Sequence, residues 1–444
     1  MLKQRLPLFI RSKIDRLETS PLGRRLAHGA FWSLLGTLAS RGLNMAAMIV
    51  LARILGKNEF GEIGIIQNSV LMFQTLAGFG LGWAATRYVA RFKNSDAAKT
   101  GRIISFVNLA AVGTGGLSCV VFFISAPWLA THPLGAPHLV HALQISSLSL
   151  LVASLAGAQN GALAGFEAFR SIARINCISG IINFLAIIGG GILSGVEGAV
   201  WGILIGQIAN WSMNYFNMRL VAGKRGISLS LRGCLQEREV LWQFGLPALL
   251  GGSAFQAATW AASVLLVNQP NGYAEMGIYN AANQWFSILL FLPMILGQSA
   301  IPVFSEYIAV GKVEKIRSIF KASLRFNISV VFTIVIVGSL SSRWIMGLYG
   351  SDFKDAWMIL VLTFFAAGIA AIQAPAAQII SASGRMWLGL IMAISWAIIF
   401  IFSSYFLIEW RSGGIATARI FAYVAYLFWS FRLSNLILRK LEDQ

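Results

Sequence analysis

The sequence predicts an all-α polytopic membrane protein, with about twelve transmembrane helices in two six-helix bundles related by a pseudo-two-fold axis along the membrane normal. Three observations predict it. About twelve apolar runs fill the chain, each of roughly 20 or more residues, enough to cross a hydrocarbon core of about 30 Å. The connections between runs alternate between basic and nearly uncharged. The two halves share weak similarity: Glu62-Ile-Gly64-Ile resembles Glu275-Met-Gly277-Ile, each opening the second span of its half, and at the same offset Lys99 falls on Lys312 and Arg102 on Lys315. An even number of spans per half makes the repeat parallel, as in many secondary transporters, with the site between the halves near the midplane. Helix is the required form, because lipid offers a backbone amide no partner.

The first span (28–55) carries Ser33, Thr37, Arg41 and Asn44 at 4-4-3 spacing, on one helical face. The second (61–84) carries Gln67, Asn68 and Gln74. Spans three and four (103–127, 140–163) flank the longest sparsely charged connection, about 128–139, with His132 and His138 in it and His141 just beyond. Exposed histidines without nearby carboxylates or cysteines read as solvated, and no metal is expected. Spans five and six follow (174–195, 198–219), the sixth with Gln207, Asn210, Asn214 and Asn217 at 3-4-3 spacing. The seventh (241–267) is the positional counterpart of the first, with Ser253, Gln256, Trp260 and Ser263 on one face and no charge. The eighth (276–302) holds Asn280, Asn283 and Gln284. Spans nine to twelve are 323–345, 356–379, 386–409 and 412–437. Pro247, Pro293 and Pro375 interrupt the seventh, eighth and tenth spans and are candidate hinges, each removing a helix hydrogen bond.

Charge gives the orientation. Basic residues gather in the N-terminal segment (Lys3, Arg5, Arg11, Lys13, Arg16, Arg24, Arg25), in the even connections (among them Arg87, Arg91, Arg170, Arg219, Lys224, Lys312, Arg317 and Arg385) and at the C-terminus. The odd connections hold Lys57, Arg343, Lys354 and Arg411. By the positive-inside rule both termini face the cytoplasm. The net charge of +18 is therefore a topology signal with some attraction to anionic lipid, and nucleic acid is not an expected partner. The division expected is a basic cytoplasmic segment (1–27), an N-terminal bundle (28–220), a cytoplasmic linker (221–240) and a C-terminal bundle (241–444). The first segment reads equally as a short basic surface helix or a disordered tail. Cys119, Cys177 and Cys234 have no disulfide or metal spacing.

Arg41 lies near the bilayer centre, where a charge costs roughly 2.5–3.5 kcal/mol on insertion scales, so it is expected to face a cavity. Every Asp and Glu falls in a loop or at a span end. A permanent cation with no acid to neutralise it suits an anionic cargo, and its fork fits phosphate oxygens. With Arg41, the candidate substrate-binding residues are Asn44, Thr37, Ser33, Gln256, Asn280, Asn283, Gln207, Asn210 and Asn214; each stripe also fits simple interhelical hydrogen bonding. Arg53 and Arg419 lie nearer the exterior ends, as interface anchors or accessory anion contacts.

Several motifs then resemble one family. Leu51-Ala-Arg53-Ile-Leu-Gly56 through Glu59-Phe-Gly61, Ala85-Thr-Arg87-Tyr-Val-Ala-Arg91, Gly165-Phe-Glu167-Ala-Phe-Arg170 with Arg174-Ile-Asn176, Phe244-Gly-Leu-Pro247 and Ser383-Gly-Arg385 stand in an order and spacing similar to bacterial polysaccharide-export flippases. These belong to the superfamily of multidrug and toxic compound extrusion proteins and lipid II flippases. The resemblance implies a multi-pass protein of the bacterial inner (plasma) membrane that moves an oligosaccharide linked to a polyprenyl diphosphate, such as an O-antigen or capsule unit, between leaflets. Arg41 matches the cationic cavity residues thought to meet the diphosphate. Membrane lipids, and a polymerase or glycosyltransferases of the same pathway, are the partners implied; no cofactor is.

The alternative is a cation-coupled drug or metabolite exporter of the same superfamily. It would want a membrane-embedded carboxylate, and none is visible. An enzyme such as a glycan polymerase would want a sizeable exterior loop or a buried acid/base pair, and the chain has neither.

Overall fold

A computed structural model describes residues 21–78, 80–230, 233–234 and 245–442; 91% of the described residues are helical and none is in a strand. Residues 1–20 of the basic N-terminal segment and 231–232 and 235–240 of the expected linker lie outside the described residues. In order the helices are α1 (Pro21–Gly78), α2 (Leu81–Phe92), α3 (Ala97–Thr131), α4 (Val140–Gly165), α5 (Phe169–Lys224), α6 (Gly245–Val267), α7 (Gly272–Leu289), α8 (Phe291–Ala309), α9 (Val313–Leu340), the short α10 (Ser342–Gly347), α11 (Trp357–Ala382), α12 (Met386–Phe406) and α13 (Arg411–Glu442).

Among the described residues eight helices are long and apolar enough to cross a membrane. Two of them are double crossings. A straight helix of the 58 residues of α1 or the 56 of α5 would be over 80 Å long at about 1.5 Å per residue, roughly twice a whole bilayer. Each instead turns back on itself. α1 reverses at Gly56 (φ 74°, ψ 176°), and α5 reverses at Ser194 and Gly195 (φ 57°, ψ −132°). The two arms of α5 then touch backbone to backbone: a Cβ on Gly198 would stand 2.0 Å from the Gly190 carbonyl oxygen, and one on Gly202 2.3 Å from that of Ala186. The separate connections expected after spans one and five are thus single glycine-based reversals. With α6, and with α7 and α8 as one span broken at Leu290, the molecule has its twelve crossings.

The prolines act differently from one another. Pro293 lies in the first turn of α8, where a missing N–H breaks no bond of that helix, so the span ends at Leu289 and restarts at Phe291. Pro375 does not interrupt its span: α11 is helical from Trp357 to Ala382. The carbonyl that loses its partner four residues back is that of Ala371, and the buried Asn327 Nδ2 of α9 donates to it at 2.9 Å. Pro247 lies in the first turn of α6, and residues 241–244 before it are outside the described residues.

Two six-helix bundles result. In the first, α1 packs along α5, and α4 packs between α3 and α5; in the second, α11 packs against α13, α9 and α8, and α12 against α6 and α13. The duplication is visible in the backbone. Arg411, which opens the last span, has φ 53° and ψ −129°, nearly those of Gly195 opening the sixth. Three residues on, Gly414 and Gly198 both press on the carbonyl of the preceding helix. The contact between bundles is uneven along the membrane normal. At the sparsely charged end one apolar core joins both, with Leu51, Phe60 and Ile63 beside Met276, Tyr279 and Tyr349. Toward the basic end each bundle keeps its own core, around Val89 and Phe166 in one and Phe304 and Ile316 in the other.

Candidate functional site

The bundles meet where small residues let backbones approach. A Cβ on Gly61 would stand 1.8 Å from the Tyr273 carbonyl oxygen, and one on Gly277 2.0 Å from that of Lys57. So the second arm of α1 and α7 lie in direct backbone contact, a close approach that small residues permit in membranes. Polar groups add to this seal. Arg53 donates from Nε to the Leu348 carbonyl at 2.5 Å and from Nη2 to that of Gly347 at 3.5 Å. Tyr273 Oη donates to the Leu134 carbonyl and Asn268 Nδ2 to that of Pro133, both at 2.7 Å. Deeper in, Asn68 Nδ2 donates to Ser263 Oγ and Trp260 Nε1 to Ser69 Oγ. The stripe on the seventh span therefore joins bundles, and its Gln256 does not line the cavity below.

Beneath this seal, on the basic side, lies a cavity of about 710 Å3. Both arms of α1, both arms of α5, α4 and α7 form its wall. The α1 and α7 contributions are related by the duplication: Gln67 and Asn280, Val70 and Asn283, Leu71 and Gln284, and Gln74 and Ser287 stand at the offset that relates Gly64 to Gly277, and all eight line the cavity. Residues every three or four positions on α4 (Ser146, Ser149, Ala153, Ala156) present small groups to the same space. Sequence reasoning missed this wall, although the spacing was its signal; it also missed Ser40, Ser179 and Asn183.

Arg41 is exposed on this wall. Its guanidinium carbon lies 4.5 Å from the centre of the Phe291 ring, and Nη1 reaches the Ser287 carbonyl at 3.4 Å. These contacts orient the group without cancelling its charge, and among the described residues no carboxylate pairs with it. Asn44 accepts from Asn183 Nδ2 at 3.2 Å. Gln207, Asn210, Asn280 and Asn283 also line the cavity. Asn214 does not: it is buried one turn behind and donates to Asn210, whose own Nδ2 donates to Ser179 Oγ. Thr37 is not among the lining residues, and the Ser33 side chain is outside those described.

The two arginines assigned to span ends are not among the residues lining the cavity. Arg53 clamps the bundles, as above. Arg419 is 5% exposed, inside the second bundle, with Nη1 on Asn283 Oδ1 at 2.6 Å, Nη2 on Tyr279 Oη, and the rings of Tyr279, Phe286 and Phe400 around it. His138 also differs from expectation, its Nε2 standing 2.9 Å from Glu62 Oε1.

In chemical terms the cavity combines amides and hydroxyls with apolar side chains such as Met45, Met48, Ile63 and Val200, and it holds one guanidinium with no carboxylate partner among the described residues. Its size is within the roughly 300–1,000 Å3 of small-molecule sites.

The chain is 22% identical to the EPS I polysaccharide export inner membrane protein EpsE of Ralstonia nicotianae (strain ATCC BAA-1114 / GMI1000), over 83% of this chain and 84% of that one. It is 24% identical to the succinoglycan biosynthesis transport protein ExoT of Rhizobium meliloti (strain 1021), over 76% of this chain and 65% of that one. Its fold matches the inward-facing conformation of a multidrug resistance MATE family transporter of the MOP superfamily, with a TM-score of 0.78 at 13% identity, covering 93% of this chain and 99% of that one. The model of the family described as polysaccharide biosynthesis protein matches residues 26–308, more than half of the sequence, and this multi-span membrane protein belongs to that family.

Proposed function

We propose that the chain carries a polyprenyl-diphosphate-linked oligosaccharide from the cytoplasmic to the exterior leaflet by alternating access, for surface polysaccharide synthesis. The observation that carries this reading is the cavity: lined in part by amides, holding Arg41 with no carboxylate partner among the described residues, and lying beneath a seal at the sparsely charged end. Unassisted flipping is slow because sugar hydroxyls and phosphates would lose water in hydrocarbon. The cavity amides replace that water, Arg41 meets the diphosphate, and the lipid tail stays in the bilayer. The positive-inside rule puts the basic end and both termini in the cytoplasm, so the present arrangement is the one that loads cargo. Parting of the seal and closure of the basic end, one bundle rocking on the other, then releases it outside. The names of the export relatives support the cargo class. Polymerases or glycosyltransferases of the same pathway are the partners in this scheme.

The test is Arg41→Ala. It abolishes surface glycan export at normal protein level, and lipid-linked oligosaccharide builds up on the cytoplasmic leaflet as it does in a deletion strain. Full export by that variant refutes the assignment.

A further inference from the structure

Arg419 is a cation in the wrong place for a structural residue. A buried charge is ordinarily paired, yet among the described residues no carboxylate pairs with it. The one acid on α7, Glu275, is engaged at the helix start by Ser412 and Arg411. What the guanidinium touches instead is the back of the cavity wall. Guanidinium can only donate, so Asn283 must turn its carbonyl oxygen to Arg419, and the same amide then has its N–H2 free for the cavity that Asn283 lines. One helical turn further along α7, Arg41 reaches the Ser287 carbonyl. Two guanidinium groups thus address consecutive turns of one helix, one in the chamber and one behind its wall. The duplication sharpens the contrast. In the register that aligns the reversals at Gly195 and Arg411, the first-bundle counterpart of Arg419 is Ile203, and in the register that aligns Gly64 with Gly277 that of Asn283 is Val70, both apolar and both on the cavity wall. The polar pair is confined to the second bundle.

We propose that Arg419 is a positioning residue for cargo. It fixes the Asn283 amide as a hydrogen-bond donor and adds positive potential behind it, so that the anionic group of the cargo lies between Arg41 and Asn283 against α7. This rests on the anionic-cargo reading above. The low local dielectric strengthens such a field relative to water.

The decisive variant is Asn283→Asp. It gives Arg419 a counter-charge, so the fold gains an ion pair, while the cavity loses a donor and acquires a negative oxygen. Binding is read on the full chain in detergent, with farnesyl diphosphate as the charged probe and farnesol as the uncharged one. Asn283→Asp is expected to bind farnesyl diphosphate at least tenfold more weakly with farnesol unchanged, and to melt no lower than the parent. Arg419→Lys, which keeps the charge but cannot fork to Asn283 and Tyr279, is expected to fall between. A merely structural Arg419 would leave farnesyl diphosphate binding by Arg419→Lys within twofold of the parent, and that result overturns the proposal. Should Asn283→Asp express poorly, Asn283→Leu decides: weaker binding of the charged probe alone supports the amide contact, and parental binding refutes it. Arg41→Gln separates the two readings. Loss there with parental binding by the Asn283 variants sinks only the present inference, while parental binding by both sets sinks the anionic-cargo reading as well.

Discussion

Asn327 has a task that its own surroundings do not suggest. Its amide donates to the Ala371 carbonyl, which Pro375 leaves without a helical partner. Leaving a buried acceptor unmet costs about 1–3 kcal/mol. Asn327→Ala should therefore lower the melting temperature, and Pro375→Ala in the same chain should restore most of the loss by returning the N–H. Equal destabilisation in the single and double variants would dissociate the two residues. Arg41 was legible because a charge inside an apolar run stands out in one dimension. Arg419 was less legible for a related reason: distance from the span end indicates depth, but its partners Tyr279, Asn283 and Phe400 come from other helices. The amides divide in the same way. Asn210 and Asn214 share a face of one arm, yet the wall is reached by the first and only backed by the second, a difference of one helical turn that spacing cannot rank.

Among elements, the spans themselves were legible, since twenty apolar residues in lipid leave few alternatives. Their joints were less so. The sequence suggested loops at 56–60 and 196–197, where the helix instead turns on Gly56 and on Ser194–Gly195. It suggested hinges at three prolines, where one is offset by a side-chain amide and one marks the break at Leu290. Glycine identity was the better guide to close approach. Gly277, noted for its place in the repeat, lies where a Cβ would meet the Lys57 carbonyl. Gly277→Val should force α1 and α7 apart. The expected outcome is loss of export, with Gln67→Cys in that background becoming reactive to a membrane-impermeant maleimide added outside intact cells. Continued protection of the cysteine would mean that the seal does not depend on this contact.

For the whole molecule, one apolar core joins the bundles at the sparsely charged end and separate cores lie toward the basic end; in the proposed cycle these ends are the closed gate and the open one. The polar latch across the closed gate is small: Arg53 to two carbonyls, with Tyr273 and Asn268 holding the 133–134 backbone. A hydrogen bond to a charged group contributes about 1.5–3 kcal/mol. Arg53→Ala should thus shift the equilibrium roughly tenfold or more toward the arrangement open at that end. Labelling of Ser263→Cys from outside measures the shift, and an unchanged labelling rate would count against the latch.

In the proposed orientation, the tight reversals at Gly56 and Ser194–Gly195 also bear on how the protein meets the world beyond the cell. A chain that turns back within one or two residues leaves no slack at those points. Peptide tags, proteases and antibodies would find little to grip there, and the 128–139 segment is the natural handle instead.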